Sequence, residues 1–160
     1  MLVKYLSVFL WAMVPLVELR GAIPIAHTIH AVDPNFNLKL AYVLIAIGNM
    51  IPVPFIFFFA RKVLEWGKDK PVIGKFFTFC LEKGEKGGKK LQATAGRGLF
   101  VALLLFVGIP VPGTGAWTGT LAASILDMDF KQSVLAVICG VALAGIIMSI
   151  VSFVIVGVVV

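Results

Sequence analysis

Residues 5–32 read YLSVFLWAMVPLVELRGAIPIAHTIHAV, and how this stretch meets a bilayer decides the fold. A helix that crosses a hydrocarbon core of about 30 Å needs roughly 20 apolar residues. Tyr5 to Val17 supplies thirteen, which is about 20 Å of helix. Pro15 interrupts this run, and Glu18, Arg20 and Gly21 follow it. Ala22 to Val32 is apolar again and again too short to cross. Two short halves around a charged break predict a re-entrant hairpin that enters the membrane and turns back. Non-helical backbone persists at such depth only where protein or a wet cavity shelters it.

The same pattern returns further along the chain. Leu99 to Ile109 is short, Pro110, Pro112, Gly113 and Gly115 break it, and Ala116 to Leu126 is short again. Leu38 to Ala60 and Val134 to Val160 are long enough to span. The order is broken, whole, basic, broken, whole. At an offset of 94, Val32-Asp33-Pro34-Asn35-Phe36 falls on Leu126-Asp127-Met128-Asp129-Phe130, and Gly21-Ala22 falls on Gly115-Ala116. This predicts an all-α integral membrane protein of one domain built from two repeats. Repeat 1 is a hairpin over 5–32 and a span over 38–60. A basic connector covers 61–97. Repeat 2 is a hairpin over 98–126 and a span over 132–158. A hairpin returns to its own side and a single span crosses once, so the second hairpin enters from the opposite face and the repeats are inverted. Interrupted apolar segments at matching positions in two halves point to a transporter's binding site.

Composition sets the class. Of 160 residues, 60% are hydrophobic and 14% charged, against about 25% charged in soluble domains. A chain this short cannot bury that much apolar surface in itself. An ordinary soluble enzyme, a disordered chain and a disulfide scaffold are thereby excluded. The net charge of +6 resides wholly in residues 61–97, where ten basic residues face four acidic ones. Basic segments stay on the cytoplasmic side, so the connector is expected there and the termini outside. No stacking aromatics alternate with the bases as in a nucleic-acid surface, so no nucleic-acid partner is expected. Within the connector, Val72, Ile73, Phe76, Phe77, Cys80 and Leu81 follow helical spacing between lysines, as in an interfacial helix. Glu18 and Arg20 stand where a signal peptide would carry small residues, so the N-terminal run is expected to belong to the mature protein. Cys80 and Cys139 are expected as free thiols, and no metal spacing is present.

Several residues could carry chemistry. Ionisable groups in an apolar segment are costly and must face a polar cavity or each other. One reading gives Glu18 a proton to carry and Arg20 an anionic group to hold. The other makes them a structural pair or a backbone cap at the hairpin turn. In the second break, Pro110 and Pro112 stop a half-helix, Gly113 and Gly115 permit tight backbone paths, and Thr114 and Thr118 offer hydroxyls. A helix starting near Gly115, with Trp117 in its first turn, would aim free amides into the interior. Substrate contact and a plain turn both fit that segment. Pro52 predicts a kink in the first span, with Pro54 beyond it and Asn49 repairing a freed backbone group or lining the cavity. His27, His30 and Asp33 could share a helix face as a proton path or as interfacial polar residues. Ala136, Gly140, Ala144, Gly145 and Ser152 form a small-residue face for packing against a hairpin or a second subunit.

The segments Glu18-Leu19-Arg20-Gly21-Ala22-Ile23-Pro24 and Gly108-Ile109-Pro110-Val111-Pro112-Gly113-Thr114-Gly115-Ala116-Trp117 resemble the small multi-drug export family, over essentially the whole chain. That family is similar to the DedA superfamily of membrane proteins. The resemblance implies inverted re-entrant hairpins, a prokaryotic plasma membrane, Glu18 as the hairpin carboxylate, and Pro112-Gly113 as the second turn. It also implies a polyprenyl-phosphate or other lipid as an alternative cargo. The arginines that DedA proteins carry around the second turn are replaced by Gly115 and Trp117, which leaves Arg20 as the anion candidate. The expected function is proton-coupled export or flipping of a small amphipathic or lipid-like substrate at a midplane site of Glu18, Arg20, Gly21, Pro24, Asn49, Pro110, Pro112, Gly113, Thr114, Gly115 and Trp117. The rival from another class is a non-transporting membrane scaffold. No nucleophile–base set suggests an enzyme, no cofactor is expected, and two spans are thin for a pathway, so a homodimer is expected.

Overall fold

A computed structural model describes residues 1–15, 17–71, 74–75, 78, 82, 97–111 and 114–159. Among the described residues, seven helices have defined bounds: α1 (Leu2–Met13), α2 (Glu18–Val32), α3 (Leu38–Met50), α4 (Pro52–Gly67), α5 (Arg97–Gly108), α6 (Ala116–Ile125) and α7 (Phe130–Val159). The described residues form no strand.

Proline sets the first break. Pro15 disfavours helical backbone at the residue before it, and Val14 is extended, with φ −76° and ψ 128°. α1 therefore ends at Met13. Glu18, Arg20 and Gly21, expected within the break, lie instead in the first turn of α2. The backbone pays for this early restart with a positive φ of 49° at Glu18. The mouth of the pair is tied shut. Lys4 donates to Asp33 at 2.7 Å, the Asn37 amide donates to the Tyr5 hydroxyl at 2.8 Å, and Tyr5 stacks on Phe36. The start of α1 and the end of α2 thus meet, and the two helices form a hairpin. α5 and α6 form a second one, with Leu99 and Leu103 facing Ala123 and Met128 across a small apolar cavity.

The first span is longer than its apolar run. α3 and α4 make a 30-residue helical rod from Leu38 to Gly67, interrupted only by a turn at Ile51 before Pro52. The helix outruns the predicted end at Ala60 and runs on to Gly67. Lys62 lies over the Phe59 ring and Lys70 over the Trp66 ring. The second span begins at Phe130 rather than 132, because Asp129 caps it, accepting from the Gln132 amide at 3.1 Å. Leu38–Gly67 and Phe130–Ile155 are both long and apolar enough to cross a membrane. The apolar positions proposed for the connector, Val72, Ile73, Phe76, Phe77, Cys80 and Leu81, lie outside the described residues.

Packing follows one scheme twice. α1 lies on α3 as α5 lies on α7; α2 lies on α7 as α6 lies on α4. Each short-helix pair thus contacts its own long helix and the one from the other half. The crossings are close. A Cβ on Gly48 would stand 2.6 Å from the Phe9 carbonyl oxygen, and one on Gly140 would stand 2.7 Å from Val107 Cβ. Gly145 faces Leu19, and Ala136 and Ala144 are buried. The small-residue face of the last span thus packs inside the chain, against both hairpins.

Candidate functional site

The two breaks meet, and two side chains from α2 hold the junction. The start of α6 exposes amides that no helical carbonyl can satisfy. Glu18 fills that role from 98 residues away. Its Oε2 accepts from the Ala116 amide and its Oε1 from the Trp117 amide, both at 3.0 Å. The carboxylate is buried, at 5% exposure. Its charge sits at the positive end of the α6 dipole, where an anion is stabilised.

Gly115 makes this approach possible. It caps α6 with φ 150°, a conformation that glycine tolerates best. A Cβ there would lie 2.2 Å from Glu18 Oε2 and 2.8 Å from its carboxyl carbon. Only a bare backbone lets the carboxylate straddle the helix start.

Arg20 does the complementary job at the end of α5. Its guanidinium donates to the Val107 and Ile109 carbonyls at 3.1 Å each, to Thr114 Oγ1 at 2.8 Å, and to the Val111 carbonyl. These carbonyls belong to the last turn of α5 and the break beyond it, where partners run out and a cation is favoured. Thr114 closes the ring, its hydroxyl lying 2.9 Å from the Val111 carbonyl and 3.1 Å from that of Ile109. The two charges are therefore not paired directly with each other. Each serves one end of the opposite broken helix.

A cavity of about 750 Å³ opens beside this junction. It is lined by Pro15, Val17, Glu18, Arg20 and Gly21 from the first hairpin, and by Pro110, Val111, Thr114, Trp117, Thr118 and Leu121 from the second. Ile56 of α4 and Met148 of α7 complete the wall. The sequence-predicted residues Glu18, Arg20, Gly21, Pro110, Thr114 and Trp117 thus share one cavity, with Gly115 in contact with Glu18. Pro24 and Asn49 do not line it. Pro24 lies inside α2, where its carbonyl accepts from Thr28 at 3.0 Å. Asn49 is fully buried, and its Oδ1 has no hydrogen-bond partner. Pro112 and Gly113 lie outside the described residues. Val17, Ile56, Leu121 and Met148 had no sequence signal beyond being apolar.

His27, His30 and Asp33 each take a separate partner rather than one another. His27 Nε2 is 2.5 Å from the Tyr42 hydroxyl. His30 Nδ1 is 2.8 Å from the Phe36 carbonyl, and Asp33 pairs with Lys4. Among the described residues, no group of three His, Cys, Asp or Glu side chains could hold a metal ion.

Two membrane-length helices and two short-helix pairs with a largely apolar cavity between them fit an α-helical membrane protein. The chain belongs to the family described as "Putative small multi-drug export protein", whose model matches residues 18–147, from the Glu18 carboxylate into α7. No curated protein and no solved structure matches the chain significantly.

Proposed function

We propose that this chain is a membrane exporter that carries a small amphipathic substrate through the cavity between its two hairpin breaks, with Glu18 coupling transport to protons. In this reading the hairpins are re-entrant and the halves are inverted repeats. α1 is 12 residues long, about 18 Å, too short for a core of about 30 Å. The duplicated packing scheme supports the repeat, and the positive charge of residues 61–97 supports a cytoplasmic connector.

The observation that carries the reading is the placement of Glu18. One carboxylate both lines the cavity and holds the start of α6 through two amides. Protonation removes the charge that the amides and the helix dipole stabilise. The grip on the second hairpin then loosens and the cavity can change the face to which it opens. A bound proton and a closed junction thus become alternatives, which is what coupling requires. The lipid-phosphate alternative draws no such support, because Arg20 is engaged with the α5 carbonyls.

The test is export of a fluorescent amphipathic dye from proteoliposomes under an imposed pH gradient. Gradient-driven flux is expected for the wild type and is expected to vanish in Glu18→Gln, with the protein still folded by circular dichroism. Equal rates in the two proteins would remove Glu18 from the coupling. No flux in the wild type with any amphipathic dye would favour a scaffold.

A further inference from the structure

The cavity's charges are spent before a substrate arrives. Among the described residues, Glu18 and Arg20 are the acidic and the basic side chain that line the cavity. Both carboxylate oxygens of Glu18 accept backbone amides. The guanidinium of Arg20 is directed at carbonyls and at Thr114. A charged ligand would find no free counter-ion, and desolvating an uncompensated ion costs several kcal/mol. What the cavity offers is apolar wall, from Val17, Ile56, Val111, Leu121 and Met148, plus the Thr118 hydroxyl and the face of Trp117. Among the described residues, the Thr118 hydroxyl reaches only the Gly115 carbonyl, at 3.5 Å, a contact at the limit of a hydrogen bond. It is therefore available to a ligand.

Depth decides where that ligand comes from. Ile56 is the nineteenth residue of the 30-residue rod that begins at Leu38, and Met148 is the nineteenth of the 30-residue α7. Each lies about 5 Å beyond the midpoint of its helix. In a chain whose long helices cross the bilayer, this level is the acyl region and not the aqueous rim.

We propose that the site selects an uncharged, hydrogen-bonding amphipath that reaches it from the acyl region of the bilayer, rather than a lipophilic cation or an anionic headgroup. This rests on the cavity being the transport site, and it adds the substrate's charge class and its route.

Three phenyl-substituted probes test it: neutral triphenylphosphine oxide, cationic tetraphenylphosphonium and anionic tetraphenylborate. Trp11 and Trp66 are exposed and outside the cavity. The Trp11→Phe/Trp66→Phe protein therefore reports from Trp117 alone. Binding is read in lipid vesicles as quenching of Trp117, at equal membrane concentrations of probe. The neutral compound is expected to bind about tenfold more tightly than either ion. Leu121→Phe, which narrows the cavity, is expected to weaken it severalfold. Lipids brominated near the chain ends are expected to quench Trp117 more than headgroup-side bromines, and the neutral probe to relieve that quenching. Tighter binding of either ion would overturn the charge class and leave an export site standing. Stronger quenching from the headgroup side would overturn the route. If none of the probes binds, both this inference and the cavity as transport site fall.

Discussion

Gly115→Ala is the perturbation whose effect can be worked most fully from the geometry. The new methyl carbon would lie 2.2 Å from Glu18 Oε2, 2.8 Å from its carboxyl carbon and 3.0 Å from Oε1. No contact of that length survives, so the carboxylate must leave the start of α6. Two terms add. Holding a non-glycine residue near φ 150° costs about 1–3 kcal/mol. Hydrogen bonds to a charged group contribute about 1.5–3 kcal/mol each, and two are at stake. Partial relaxation reduces the sum, so a loss of about 3–5 kcal/mol is expected. The terms separate in a double-mutant cycle with Glu18→Ala. Without the carboxylate, Gly115→Ala should cost only the backbone term, about 1–3 kcal/mol. Unfolding in mixed micelles, followed by helical circular dichroism, measures all four proteins. Equal costs of Gly115→Ala in the two backgrounds would refute the contact between Glu18 and the start of α6.

Arg20→Lys keeps the charge but cannot serve several carbonyls at once, and it should lower stability by about 1–3 kcal/mol in the same unfolding assay. Gly140→Ala would press a methyl group 2.7 Å from Val107 Cβ and 2.8 Å from the Leu104 carbonyl oxygen. Forced overpacking of this kind costs about 1–3 kcal/mol, whereas an unpacked face would gain from the better helix former. At the hairpin mouth, the hydrogen bond from Lys4 holds the Asp33 carboxyl below its usual range. A lowered folded value means that the stabilisation is present above the ordinary carboxyl range and is lost as pH falls through the lowered value. The stability difference between wild type and Lys4→Met should therefore be full at neutral pH and shrink in acid. A difference independent of pH would contradict that role.

How far the sequence could be read depends on the range of the physics involved. Pro15 ends α1 and Pro110 follows the end of α5, because a proline acts on its immediate neighbours. The interruption at Ile51, just before Pro52, was legible for the same reason. The partners of Glu18 and Arg20 were not. They lie 87 to 99 residues away and, apart from the Thr114 hydroxyl, are backbone groups, which leave no mark in a side-chain pattern. The glycine at 115 was legible as a tight turn, but its closeness to a carboxylate was not. Asn49 was drawn into the site by its polarity, yet its helix buries it away from the cavity. Ile56 and Met148 went unnoticed because apolar residues in an apolar span look alike, whichever of them faces a cavity.

In the proposed transporter each of the two hairpins returns to the side from which it came. The most direct test is sided labelling of single cysteines with a membrane-impermeant maleimide, in a Cys80→Ser/Cys139→Ser background. Val3→Cys and Asn35→Cys should react from one face of the membrane, and Gly98→Cys and Asp129→Cys from the other. Labelling of positions 3 and 35 from opposite faces, or of 98 and 129 from opposite faces, would show a pair running straight through and would contradict the account.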